Sequence, residues 1–169
     1  LERGREHALV CFDPNARPSI MGDPAAALAS LERFIALADV VKVSDEDIDW
    51  LTGGAPIDEV VDRWLSMGPS LVVVTRGKHG SDVATASGVR FTKTPGDVEV
   101  VDTVGAGDSF MGGMIDAMWG MGLRGAEARE ALRSLPKDQV RAIIDRASAV
   151  SDVTVSRSGA NPPWAHELA

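Results

Sequence analysis

The run Asp102-Thr103-Val104-Gly105-Ala106-Gly107-Asp108-Ser109-Phe110 joins small residues, which let backbone amides approach an anion, to a carboxylate at a helix start. That combination suits phosphoryl transfer. Val98, Val100 and Val101 predict a short strand before the loop, and Phe110, Met114, Ile115, Ala117 and Met118 follow it at helical spacing. Gly105, Ala106 and Gly107 then occupy a strand-to-helix turn, where the helix dipole favours negative charge. Asp108 falls in the first helical turn, able to take a proton from a hydroxyl as that hydroxyl attacks a phosphoryl group. Two better-known glycine loops are excluded. A dinucleotide fingerprint needs glycine where Phe110 stands, and a Walker-type loop needs a lysine that this run lacks.

The elements that must position this loop can be read from the rest of the chain. Ala8 to Phe12 reads as a buried strand ending in Asp13-Pro14-Asn15-Ala16-Arg17-Pro18, a loop that presents Asn15 and Arg17 at a strand's C-terminal end. Val40 to Val43 forms a second strand; Ser44 with Asp47 caps a short helix that stops at Gly53-Gly54. Ser70 to Thr75 has the continuous apolar run of a strand buried on both faces, and Gly77 to Gly80 turns it into Ser81 to Thr85. His79 is a turn residue, since no second histidine recurs at a metal-ligand spacing. Gly112 and Gly113 lie inside the helix after the loop, which predicts close packing against a neighbour. Arg124 to Leu132 and Lys137 to Val153 predict two more helices, broken near Pro136.

The nine-residue run resembles the signature of the ribokinase-like (PfkB) carbohydrate kinases, and the other segments match that family in order over essentially the whole chain. The resemblance implies an α/β fold, a three-layer αβα sandwich with a mainly parallel sheet. It implies Asp108 as catalytic base and Gly105, Ala106 and Gly107 as the anion hole. ATP would lie across Thr75, Gly77 and the segment carrying Ala147, Ser148 and Ser151, with Lys42 also on the nucleotide side. Arg17 and Asn15 would face the sugar with Asp108. Mg2+ is implied, with Asp47 and Asp102 as candidate ligands, and K+ beside Asp102 and the Val104 carbonyl. The family's Asn-x-x-Glu corner reads Ser44-Asp45-Glu46-Asp47 here, so Asp47 keeps two readings, helix cap and metal support. Ser148 likewise stands where many members have Asn.

Asp13 to Arg17 resembles the Asp-Pro-Asn-x-Arg loop of fructokinases and of 2-keto-3-deoxygluconate kinases. The tail Gly159-Ala160-Asn161-Pro162-Pro163 resembles the C-terminus of bacterial fructokinases, and the two together point to a fructokinase. The implied reaction is transfer of the γ-phosphate of Mg-ATP to a sugar hydroxyl, fructose giving fructose 6-phosphate. The alternatives are a 2-keto-3-deoxygluconate or other PfkB-type kinase, and a non-catalytic nucleotide-binding module.

Composition sets the remaining bounds. A chain of 169 residues fits one domain, and 44% hydrophobic content without a long apolar run suits a water-soluble fold. A net charge of −8 argues against nucleic acid as partner but not against ATP, whose phosphates are met by local amides and magnesium. The single cysteine, Cys11, excludes an internal disulfide, reads as a small core residue, and points to the cytoplasm. Members of the resembled family are longer, and the Gly-Gly sugar motif and lid of their N-terminal half have no counterpart here. Residues 1–169 are therefore expected to be the C-terminal portion of a single kinase domain. An open sheet edge and an exposed apolar face are expected to be covered by the missing half or by a partner chain, a homodimer included.

Overall fold

A computed structural model describes residues 1–168 of the chain. Its five-stranded sheet has the order β1 (Cys11–Phe12), β2 (Val40–Ser44), β3 (Leu71–Thr75), β4 (Ser81–Thr85) and β5 (Arg90–Lys93). The first three strands are parallel and the last two antiparallel. The mainly parallel sheet expected from the sequence is present, with an antiparallel edge added by the Gly77–His79 turn. Eight helices accompany it among the described residues: α1 (Glu2–Arg5), α2 (Pro18–Met21), α3 (Pro24–Ile35), α4 (Asp45–Thr52), α5 (Ile57–Met67), α6 (Ala106–Gly120), α7 (Arg129–Arg133) and α8 (Lys137–Val155).

Local chemistry fixes the boundaries that matter. Asp23 caps α3 by accepting from the Ala26 amide at 2.8 Å, with Pro24 at the first helical position. Ser44 caps α4 through the Asp47 amide at 3.0 Å, and Gly53 ends that helix in the left-handed conformation, as the sequence predicts.

Two apolar layers sandwich the sheet. Because strand side chains alternate between faces, Val41, Val43, Val72 and Val74 pack against α3, α4 and α5, including the fully buried Trp64. Val40, Leu71, Val73 and Val83 face the other way, onto Phe110, Met114 and Met118 of α6 and Ile143, Ile144 and Ala147 of α8. The same alternation puts Lys42 on the α6 side, two residues beyond Val40, and Ser81 there too, two before Val83.

Several expectations change. No strand forms at Val98, Val100 and Val101; the segment passes the end of α8, where the Val101 and Asp102 amides both donate to the Val155 carbonyl and no strand edge offers a ladder. The first strand shrinks to Cys11–Phe12, because of the expected residues Ala8 is exposed and Leu9 half-buried. Gly113 meets its expected neighbour, since a Cβ there would lie 2.7 Å from Ala147 Cα; Gly112 does not, and has open space within 4 Å. Ile115 is exposed although it shares the helical spacing of Phe110, Met114 and Met118. The helix predicted over Arg124 to Leu132 is a 3₁₀ turn at Ala126–Ala128 followed by α7. Both sheet faces are covered, so the expected exposed sheet face is absent; β1 does pair only with β2 among the described residues. Among the described residues, no helix is long and apolar enough to cross a membrane.

Candidate active site

Asp13 follows β1, Lys42 stands in the middle of β2 and Thr75 ends β3, and the period of two turns the strand residues Lys42 and Thr75 toward α6. Lys42 is 4% exposed, an unusual place for an ammonium unless it is paired. Its partner is Asp13, at 2.7 Å. The lysine Nζ reaches the first turn of α6, where a Cβ on Gly107 would come within 2.8 Å of it. Absence of a side chain at 107 is what lets a buried cation approach the helix start.

Gly105 caps α6 with a φ of +79°, a left-handed conformation that opens the loop and suits glycine. Not all of the glycine-loop amides are free. The Ala106 amide donates to the Thr103 carbonyl at 3.2 Å, whereas the Gly107 and Asp108 amides have no acceptor among the described residues. The Gly105 amide likewise has no acceptor among the described residues, so of the Gly-Ala-Gly amides only that of Ala106 is committed. The free amides and the dipole of a fifteen-residue helix aim partial positive charge at this loop in a chain that is acidic overall, with the Asp13-paired Lys42 ammonium beside them. Asp108 itself is exposed, in the first turn, and forms no ion pair among the described residues.

Asp102 anchors the loop from behind. Its Oδ1 accepts from the Val104 amide at 3.0 Å and its Oδ2 from the Gly159 amide at 2.9 Å. These two bonds, Val104 first, hold its carboxyl below the usual carboxylate range. Both oxygens are therefore engaged with backbone, and the tail that follows α8 is tied to the loop that precedes α6. Among the described residues, no group of three or more His, Cys, Asp or Glu side chains is placed to hold a metal.

A cleft of about 140 Å³ opens beside Gly107, between the β3–β4 turn and α8. Thr75, Gly77, Ala106, Gly107, Ser148 and Ser151 line it, so six of the sequence candidates meet in one place. Ser151 Oγ donates to the Ala106 carbonyl at 3.3 Å, linking α8 to the loop. Ala147 is not among the lining residues; it is fully buried with its Cα against Gly113, because α6 and α8 pack closest there. Asn15 and Arg17 are exposed on the β1 loop, with Asn15 at φ +43° and the Arg17 guanidinium folded onto the Ala16 carbonyl at 2.9 Å. Asp47 stands in the first turn of α4, at the C-terminal end of β2, held by its amide to Ser44. A larger hollow of about 480 Å³ lies among α3, α4 and α5, where Glu32 and Arg63 are already paired with each other at 2.5 Å and Glu59 is the remaining ionic group.

Residues 2–167 match the pfkB family carbohydrate kinases. The chain belongs to that family. It is 38% identical over 119 residues to a fructokinase of Rhizobium leguminosarum bv. trifolii, covering 70% of this chain and 36% of the relative. In three dimensions it is similar to a Xylella fastidiosa fructokinase with bound ATP, with a TM-score of 0.77 at 29% identity, over 91% of this chain and 48% of that one. It is also similar to a Salmonella enterica aminoimidazole riboside kinase complexed with aminoimidazole riboside and an ATP analog, with a TM-score of 0.76 at 26% identity, over 95% of this chain and 50% of that one. The chain spans about a third to a half of the length of such family members.

Three residues of the site were missed in the sequence. Asp13 had a signal: a lone lysine in an all-valine strand needs a buried partner, and an acid follows the neighbouring strand. Asp152, which lines the cleft, lies one turn beyond Ser148 on α8, so it was within reach of helical spacing. Ser81 had no sequence signal, because its place depends on the antiparallel pairing of β3 and β4.

Proposed function

We propose that this chain forms the nucleotide-binding part of an ATP-dependent sugar kinase, with fructose as acceptor and fructose 6-phosphate as product. The observation that carries the reading is the convergence of the free Gly107 and Asp108 amides with the buried Lys42 at the start of α6. Such a site stabilises charge on a transferring phosphoryl group. Asp108, in the same turn, takes the proton of the attacking sugar hydroxyl as its oxygen bonds to the γ-phosphorus and the bond to the β-phosphate oxygen breaks. Thr75, Gly77, Ser148 and Ser151 hold the nucleotide in the cleft. The cleft volume is below the roughly 300–1,000 Å³ of small-molecule pockets, so part of the nucleotide lies outside it.

Magnesium is bound in kinases through one or two carboxylates together with substrate phosphates, a requirement that Asp47 meets without a cluster, whereas both Asp102 oxygens already accept from backbone amides. It would supply charge neutralisation at the phosphates. The Asp102 oxygens are both committed to backbone amides, so no step is assigned to K+ there. Arg17 and Asn15 stand on the sugar side, and Arg17 must leave the Ala16 carbonyl to reach a substrate. A cytoplasmic location accords with this reading.

Calorimetric titration with Mg-ATP in the presence of fructose, followed by assay of the same sample for fructose 6-phosphate, tests the proposal. Binding with product supports a working kinase. Product from 2-keto-3-deoxygluconate instead would change the acceptor and keep the chemistry. The second reading, a nucleotide-binding module that needs sugar-binding residues from elsewhere, is favoured by the position of Asn15 and Arg17 outside the cleft lining, and binding without product supports it. Absence of nucleotide binding would overturn both.

A further inference from the structure

Asp152 sits on α8 next to Ser151, whose hydroxyl reaches the Ala106 carbonyl, and it lines the same cleft. It is half-buried, yet its carboxylate belongs to no ion pair among the described residues. The nearby cation Lys93 is already paired with Asp145 at 2.6 Å. Loss of surrounding water pushes the Asp152 carboxyl up from its ordinary value, with the Gly96 amide and Lys93 acting the other way. Gly96 lies so close that a Cβ there would collide with Asp152 Oδ2, and the backbone of the loop after β5 forms one wall around the carboxylate.

A second, independent feature lies in the wall of the same cleft. Ser81 is 2% exposed and its Oγ finds no hydrogen-bond partner. It stands opposite Thr75 in the β3–β4 pairing and lines the cleft with Asp152. Buried polar atoms are almost always satisfied, so an orphan hydroxyl in a cleft wall marks a place where a ligand or water completes the network.

The cleft therefore joins two kinds of group: Gly107, beside the free Gly107 and Asp108 amides and the Lys42 ammonium, and a wall with a carboxylate and an unpaired hydroxyl. A phosphate near Asp152 is repelled, whereas a ribose hydroxyl or an exocyclic amine can donate to it. We propose that Asp152, assisted by Ser81, is a specificity-determining residue that accepts a hydrogen bond from the nucleoside part of the nucleotide and so directs its phosphates toward Gly107. This rests on the cleft being the nucleotide site of the proposed kinase.

The test is calorimetry on the 169-residue chain and its D152A, D152N and S81A variants. The ligands are the magnesium complexes of ATP, 2′-deoxy-ATP, 3′-deoxy-ATP, purine riboside triphosphate and inorganic triphosphate. The analogue that lacks the recognised donor should bind the unaltered chain on the order of ten-fold more weakly than ATP. D152A should lose the same factor for ATP and no further factor for that analogue, with inorganic triphosphate unaffected. A deoxy analogue giving this pattern assigns the donor to the ribose, and purine riboside triphosphate assigns it to the base. S81A should show a smaller loss of the same kind. Helix content by circular dichroism, with D152N as the shape-conserving variant, checks folding. Equal losses for every ligand, inorganic triphosphate included, would reduce Asp152 to a packing role and overturn the proposal. So would ATP binding by D152A as tight as that of the unaltered chain, which leaves the kinase reading standing. If the unaltered chain binds no nucleotide, the kinase reading falls and takes this one with it.

Discussion

Lys42 Nζ occupies the space that a side chain at residue 107 would need, for a Cβ on Gly107 would stand 2.8 Å from it. The obstacle is the far end of a flexible side chain, and position 107 has no left-handed backbone, so Gly107→Ala should fold. What changes is the site: the ammonium is displaced from the free amides. Mg-ATP affinity should fall about ten-fold or more while the unfolding free energy from urea denaturation stays within about 1 kcal/mol of the unaltered protein. Unchanged affinity in calorimetry would mean that the lysine does not act on the phosphates.

Asp108 is exposed in the first turn of α6, with no ion-pair partner to satisfy among the described residues. Asp108→Asn keeps the shape and removes the proton acceptor. In preparations that phosphorylate sugar, turnover should drop by about 10²–10⁴-fold with ATP affinity within a few-fold. Near-normal turnover would remove Asp108 from the role of base.

The two adjacent glycines of α6 should respond in opposite directions. A methyl group on Gly113 meets the Ala147 backbone and Val150, so Gly113→Ala should cost about 1–3 kcal/mol. Gly112 faces open space, and Gly112→Ala should stabilise by up to about 1 kcal/mol through helix propensity alone. Urea denaturation of both variants decides the matter; equal shifts would contradict the packing of α6 on α8.

Asp39, 1% exposed, ties three parts of the chain together. It accepts from the Val10 amide at 2.8 Å and from Arg129 Nε at 2.6 Å, and pairs with Arg5 at 3.3 Å. Asp39→Ala leaves Arg129 without its buried partner and should cost about 3–5 kcal/mol. A loss below about 1 kcal/mol in the same denaturation assay would show the cluster to be incidental.

Burial, and secondarily the charge of Asp39, push the Cys11 thiol up to about 11 from 9.0. A raised thiol value means that above pH 9 the unfolded chain gives up a proton that the folded chain keeps. The unfolded state then binds fewer protons, and stability falls as pH rises between about 9 and 11, by up to about 2–3 kcal/mol. Cys11→Ala should flatten that alkaline slope, whatever its effect at pH 7. Parallel pH–stability curves for the two proteins would refute the assignment.

Much of this fold was legible because the relevant signals are local. Ser44 with Asp47, Gly53, and the apolar run ending at Thr75 specify their cap, stop and strand by chemistry within a few residues. The candidate site was legible for a related reason: small residues followed by an acid at a helix start have the same consequence for backbone amides wherever the helix packs. The strand expected at Val98 to Val101 failed because a strand exists only where a neighbour offers its edge, which no local pattern encodes.

What the sequence alone determined was the loop, the elements on either side of it and the type of chemistry they could support. The tertiary structure alone decided which amides are free and which neighbours meet. Thr103 takes the Ala106 amide, the pairing of β3 with β4 brings Ser81 opposite Thr75, and α8 carries Asp152 into the cleft. The physical reason is the range of the forces involved. Capping, helix dipoles and side-chain alternation act over a turn or a few residues, whereas the Asp13–Lys42 pair and its approach to Gly107 join segments far apart in the chain. Contacts of that kind exist only after the sheet and α6 have closed on one another.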